Sequence, residues 1–162
     1  MYFCYTDGSC KSGNAGAPGG WGFCIKQPDG STSEGHGNAV KTLSKVMEYT
    51  AVAEALAALP AGVEATVFSD SQSLVESCRK RIDAWRQGQG WSKVDPEILG
   101  CVQRLAAVAE QKQLALTWQW IRGHNGNAGN ERADALATEG AREAKAALEA
   151  EEKAARKKAG GG

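Results

Sequence analysis

The chain has 162 residues, 19 of them basic and 19 acidic, so its formal net charge at neutral pH is zero. That length suits one domain with its own core, and the charge balance excludes a global field drawing it to nucleic acid or membrane, so any such attraction is local. No apolar stretch is long enough to span a bilayer, and the five cysteines, odd in number and without C-x-x-C spacing, read as reduced thiols in a cytosolic setting, with no zinc site expected.

Tyr2 to Ser9 alternates, with Phe3, Tyr5 and Asp7 on one face and Cys4 and Thr6 on the other, which predicts a strand. A glycine-rich turn over residues 11–20 leads into a second strand at Trp21-Gly22-Phe23-Cys24-Ile25, and Pro28-Asp29-Gly30 predicts a hairpin returning through residues 31–38. A helix is predicted from about Lys45 to Leu59, capped by Thr42 or Ser44 and stopped by Pro60-Ala61-Gly62. Glu48 precedes Val52 by one turn and shares the face of Val52, Ala55, Leu56 and Leu59. Its carboxylate is therefore expected to point inward, where it requires a partner or a cation.

Ala65 to Ser69 forms a fourth strand that ends at Asp70, a carboxylate placed where open α/β sheets bind their ligands. A second helical stretch follows, then a basic run with tryptophans from Arg79 to Trp91. Asp95-Pro96 is expected to start a third helix through Leu99, Val102, Leu105 and Val108. Leu114 to Ile121 predicts a fifth strand with Leu114, Leu116, Trp118 and Trp120 on its core face. Residues 122–129 cannot be regular structure, Asn130 is expected to cap the last helix, and Asp134 lies in its first turn. Beyond Gly140 the composition turns to Ala, Glu, Lys and Arg. A thin stripe of Ala141, Ala144, Ala147 and Leu148 lets the helix continue and fray, and the closing glycines are expected to be disordered. The order β-β-β-α-β-α-β-α predicts one mixed sheet with helices on its faces.

Singly, each acid has a plain structural role: Asp70 as a helix N-cap, Asp134 as a complement to the helix dipole, Asp7 as a polar group near a turn. As a set, Asp7, Glu48, Asp70 and Asp134 are four inward acids without an equal set of buried bases, which calls for an external cation. His36 reads as a surface residue on an outer strand. Trp118 and Trp120 read as core, and Trp85 and Trp91 are divided between core packing and stacking on nucleic acid. The basic cluster at 79–86 also fits a solvated helix face.

The segments Tyr5-Thr6-Asp7-Gly8-Ser9, Met47-Glu48, Ser69-Asp70-Ser71-Gln72, Gly123-His124-Asn125-Gly126 and Asn130-Glu131-Arg132-Ala133-Asp134, in this order and on these elements, resemble type I ribonuclease H. The resemblance covers about residues 2–140. It implies an α/β ribonuclease H-like fold whose five-stranded mixed sheet has three antiparallel strands followed by two parallel ones. It also implies a catalytic domain over 1–140 and a helical extension with a glycine tail over 141–162.

The resemblance implies that Asp7, Glu48, Asp70 and Asp134 hold two Mg²⁺ ions, with Mn²⁺ as an alternative. Such ions about 4 Å apart activate water and stabilise a leaving oxygen. His124 would act as a proton shuttle or assist product departure, since imidazole exchanges protons near neutral pH. The implied reaction is endonucleolytic cleavage of the RNA strand of an RNA–DNA hybrid, giving 5′-phosphate and 3′-hydroxyl ends, by a cytoplasmic monomer without membrane contact.

The implied substrate contacts are Cys10, Asn14 and Gly16 to the RNA strand and its 2′-hydroxyls, and Gln72 in the minor groove. Trp85, Gly90 and Trp91, with Arg79, Lys80, Arg81 and Arg86, would form a basic handle on the DNA strand. Three departures stand out. Ser44-Lys45-Val46 replaces the family's Asn-Asn-Arg, the handle is shorter, and the first loop is slightly longer. A hybrid-binding module without turnover, and a resolvase- or integrase-like nuclease, are the alternative readings.

Overall fold

β1 (Tyr2–Cys10) runs through the middle of a five-stranded sheet, in a computed structural model that describes residues 1–10 and 16–160. β2 (Ala17–Lys26) and β3 (Thr32–Thr42) continue antiparallel on one side, while β4 (Glu64–Ser69) and β5 (Ala115–Trp120) lie parallel on the other, giving the order β3-β2-β1-β4-β5. This is the predicted mixed sheet, with three antiparallel strands followed by two parallel ones.

α1 (Ser44–Ala58), α2 (Gln72–Arg86) and α3 (Leu99–Gln111) cover one face of the sheet; α4 (Ala128–Gly160) crosses the other over β1, β2 and β3. The main core lies under the first three helices, around Val52, Leu56, Val67, Leu74 and Leu105. No helix of the described residues is long and apolar enough to cross a membrane.

The stretch expected to be a turn up to residue 20 is already strand at Ala17, with Gly19 opposite Cys10 and Gly20 opposite Ser9. Glycine serves packing here. A Cβ on Gly20 would lie 2.3 Å from the Ala137 carbonyl oxygen and 2.3 Å from the Ala141 nitrogen, so its absence lets α4 press its backbone onto β2. On α4, Ala133, Ala137, Gly140, Ala141 and Ala144 form the matching small-residue face, all buried. α4 runs through residue 140 without a break, and the expectation for Gly161 and Gly162 lies outside the described residues.

Helix starts differ from expectation in three places. α1 is preceded by Leu43 and has no side-chain cap, so neither Thr42 nor Ser44 takes that role. In α4 it is Asn127, whose Oδ1 accepts from the Asn130 N–H at 2.9 Å, that caps; Asn130 is itself buried in the first turn. Asp95 and Pro96 form a turn, closed by Ile98 N–H to the Asp95 carbonyl, and α3 begins only at Leu99. Trp120 is also not core. It is 39 % exposed as the last residue of the edge strand β5, whereas Trp118, two residues inside the strand, is 3 % exposed.

Substituting Gly20→Ala pushes α4 off the sheet against backbone atoms that cannot rotate away, and should cost about 1–3 kcal/mol. A urea titration should show the midpoint fall at unchanged slope. An unchanged midpoint would contradict the close-packing role assigned to this glycine.

Candidate active site

The parallel pairing of β1 and β4 sets Tyr5 beside Phe68, so Asp7 and Asp70 stand at the same level, two residues further along neighbouring strands. Asp7 is 8 % exposed on the α4 face, and its Oδ1 accepts from the Gly8 N–H at 2.9 Å. Gly8 points to the opposite face. A Cβ there would sit 2.5 Å from the Glu48 nitrogen, so only glycine lets the first turn of α1 reach β1 and seat Glu48 beside the strand bearing Asp7. Asp134 arrives from the other side, in the second turn of α4 rather than the expected first, because the helix already begins at Ala128. Strand, strand end and two helices thus deliver one carboxylate each.

Asp70 is not a helix cap. Ser71 caps α2, its hydroxyl accepting from the Leu74 N–H at 3.3 Å, and the Ser69 hydroxyl accepts from the Ser71 N–H at 3.1 Å. With those backbone donors satisfied by serines, the Asp70 carboxylate is left for the cleft.

The acids raise one another's proton affinity. Burial first, then the Asp70 charge and a hydrogen bond with the Asp134 carboxyl, push Asp7 up to about 8. Asp70 is raised by burial and by Asp134, with its own backbone amide and His124 acting the other way. Glu48 is raised by burial and by Asp70, with a partial offset from the Ser71 hydroxyl. No lysine or arginine figures among these influences. Three carboxylates held toward their protonated forms, with the Asp134 charge acting on two of them and no lysine or arginine relieving them, fit hard divalent cations such as Mg²⁺. No three of the four bring their ligand atoms within 4.8 Å of one another, so they do not form a closed single-ion cage.

The His124 loop is fastened to the same spot. Ile121 N–H donates to the Ser69 carbonyl at 3.0 Å, and the Trp120 indole N–H donates to the Asp70 carbonyl at 3.1 Å. A Cβ on Gly123 would lie 2.9 Å from Asp70 Oδ2, so the loop backbone passes directly over that carboxylate. His124 itself is exposed and left-handed, with φ 55°, an uncommon conformation that holds it out from the loop. Trp120 is a site residue that sequence alternation misses, since period two assigns its ring to the core.

The expected substrate residues divide. Asn14 lies outside the described residues. Cys10 is half-buried with its thiol 3.7 Å from the Thr42 carbonyl, Gly16 is left-handed at φ 99°, and Ser44 is half-buried at the start of α1. Gln72 is exposed on the first turn of α2, its amide 3.3 Å from Glu76. Trp91 is half-buried in a short 3₁₀ turn, Trp91–Lys93.

Trp85 is 3 % exposed, packed into the main core, so its ring faces are not open for stacking. Two of the handle arginines are also occupied. Arg79 donates to the Trp118 carbonyl at 2.6 Å. Arg86 donates to the Leu114 and Ala109 carbonyls and pairs with Glu110, tying α2 to α3 and β5. Lys80 and Arg81 make no such bonds. Arg81 lines a groove with Glu48, Ser73, Ser77, Lys45 and Lys93. Lys45, where the family's pattern has asparagine, is held by Asp95 at 2.6 Å and Glu97 at 3.1 Å.

The raised affinities give a pH dependence of definite sign. A carboxyl that holds its proton more tightly when folded contributes stability fully present below its unfolded value and lost as pH rises through its folded value. For Asp7 that window runs from about 4 to about 8, and Glu48 and Asp70 act in the same direction. In chelator, Tm should fall between pH 5 and pH 8, and Asp7→Asn should flatten the fall. Mg²⁺ should stabilise more at pH 8 than at pH 5. A Tm in chelator that does not fall over that interval would contradict the reading of the acid cluster.

Comparison with known proteins places these features. The sequence model of the RNase H family matches residues 1–142. The chain is 42 % identical over 139 residues to the ribonuclease H of Polaromonas naphthalenivorans, covering 84 % of each protein. It is 38 % identical over 137 residues to that of Bordetella pertussis, covering 84 % of this chain and 86 % of the other. Among solved structures, LC11-RNase H1 in complex with an RNA/DNA hybrid matches with a TM-score of 0.68 at 25 % identity, over 89 % of this chain and 99 % of that one. By the extent of the family match and the identity to these relatives, the chain belongs to the ribonuclease H family.

Proposed function

We propose that the protein is a divalent-metal-dependent endoribonuclease that hydrolyses the RNA strand of RNA–DNA hybrids, leaving 5′-phosphate and 3′-hydroxyl ends. The observation that carries this reading is that Asp7, Glu48, Asp70 and Asp134, delivered by four elements, lie within reach of one another's charge through Asp70, on a chain of this family. A relative of the same fold was solved with an RNA/DNA hybrid bound, which supports the substrate class.

The four carboxylates would hold two Mg²⁺ ions, or Mn²⁺ in their place. Bound there, such ions would supply activation of a water and stabilisation of the leaving oxygen in an in-line displacement. The chain's own residues do the rest. Asp7, buried and central, is the common neighbour of Asp70 and Asp134, so its ionisation is the event most strongly coupled to cation entry. Trp120 anchors the Asp70 backbone carbonyl and Gly123 passes over its carboxylate, so the two fix Asp70 from both ends. His124 stands on a loop outside the acid cluster, placed to move a proton at the leaving 3′-oxygen or to help product depart.

The hybrid's backbone would run along the groove from Glu48 toward Arg81 and Lys93, and Gln72, Cys10, Asn14, Gly16 and Ser44 remain the substrate contacts that the family resemblance implies. With Arg79 and Arg86 engaged internally, few cations face the DNA strand, so the grip depends on Lys80, Arg81, Lys93 and Trp91. We assign catalysis to residues 1–140 of a cytoplasmic monomer, with 141–162 as an extension.

End-labelled hybrid, with RNA duplex and DNA duplex as controls, tests this directly. Cutting confined to the hybrid's RNA strand and abolished by EDTA is expected. Asp70→Asn should lower the rate by about 10³-fold or more, about 4 kcal/mol, with an unchanged circular dichroism spectrum. A fully active Asp70→Asn would contradict the assignment, and a folded wild type that binds hybrid without cutting it would make the protein a binding module. His124→Ala should slow turnover while Mg²⁺ still raises Tm; loss of that Mg²⁺ response would make His124 a structural residue.

A further inference from the structure

His36, which the sequence leaves as an ordinary surface residue, stands in the structure beneath two glutamates of α4. Because α4 presses onto β2 at Gly20 and Gly22, its next turns pass over the outer strand β3. There His36 Nε2 lies 3.1 Å from Glu143 Oε1, and Glu139, one turn earlier on the same helix, brings a carboxylate oxygen within 4.8 Å of both. Among the described residues these three form the one group of metal-ligating side chains this close together.

We propose that His36, Glu139 and Glu143 form a surface site for one divalent transition-metal ion of the zinc class, joining the sheet's outer strand to α4. The donor set fits that class. Imidazole with carboxylates suits Zn²⁺ and its neighbours better than Mg²⁺, which favours all-oxygen surroundings. The spacing fits too. With ligands about 2.0–2.1 Å from the metal, neighbouring donor atoms of a tetrahedral site lie about 3.3 Å apart. His36 and Glu143 already hold that separation, and Glu139 closes the third edge by a rotamer change of an exposed side chain.

Glu143 is oriented from behind by the Asn38 amide, which donates to its other oxygen at 3.3 Å, the kind of outer contact that fixes a metal ligand's direction. Two carboxylates one helical turn apart repel each other, and among the described residues neither is ion-paired with a lysine or arginine. Arg132, the nearby cation whose charge feels Glu139, is engaged in a two-pronged pair with Glu34. The site uses none of the cysteines and none of the four catalytic acids. His36 sits opposite Gly22, and Gly22 opposite Asp7, so the two sites lie two strands apart, about 10 Å between backbones.

The chain has two histidines, so ring-nitrogen NMR of the full-length protein reads the site directly. The experiment titrates Zn²⁺ alone into ¹⁵N-labelled protein at pH 7.5 with excess Mg²⁺ present to occupy the catalytic acids, the His36 signals being assigned by their loss in His36→Gln. Near-stoichiometric Zn²⁺ should shift the His36 Nε2 resonance, and Glu139→Gln and Glu143→Gln should each raise the Zn²⁺ needed by about tenfold or more, with unchanged amide spectra. A His36 signal unmoved under a large excess of Zn²⁺, or one that moves equally in both glutamine variants, would overturn the proposal.

Discussion

Mutual repulsion among buried carboxylates is the constraint around which this molecule is organised. An ionised acid in a low-dielectric setting is unfavourable unless a base, a set of donors or a cation compensates it. Here Asp7, Glu48 and Asp70 are all held toward their protonated forms by burial and by one another, and no lysine or arginine relieves them. A fold that only needed stability would not gather acids in this way. Their convergence is sustained by the surrounding apolar packing, which holds them close against that repulsion.

That packing works through side chains that are missing. At Gly8 the absent Cβ lets α1 touch β1 and bring Glu48 in; at Gly20 it lets α4 lie on β2 and bring Asp134 in. The same close contact of α4 carries Glu139 and Glu143 over His36, so one packing decision places both Asp134 and the surface cluster at the sheet's outer strand. On the opposite edge, Arg79 and Arg86 are used to fasten α2 to β5 and α3. Charge that a composition count would assign to substrate is thereby taken up by carbonyl groups of the fold.

Much of this was legible in the sequence. Alternation in residues 2–9 and 114–121, the apolar face of α1 and the strand-terminal Asp70 are local patterns; they predict the observed sheet and single out the four acids as the candidate site. What the sequence hid were choices made by tertiary contact. Ser71 rather than Asp70 caps α2, and Asn127 rather than Asn130 caps α4, because several cap-competent residues stand in a row and only the chain's path selects one. Trp120 follows the core alternation yet lies at the end of an edge strand, where its indole supports the Asp70 backbone instead. The sequence leaves Trp85 open to stacking or packing, and its burial in the core makes it a packing residue. His36 carries no local signal at all; its neighbours arrive from more than a hundred residues away.

The central claim is that Asp7 and its three acidic neighbours form one cation-binding centre. Anomalous scattering from crystals of the protein soaked in Mn²⁺ tests it most directly. Manganese should appear in the cleft, bound by Asp7 together with oxygens of at least one of Glu48, Asp70 and Asp134. Manganese absent from that cleft at saturating concentration, with the four carboxylates unmoved, would contradict the account.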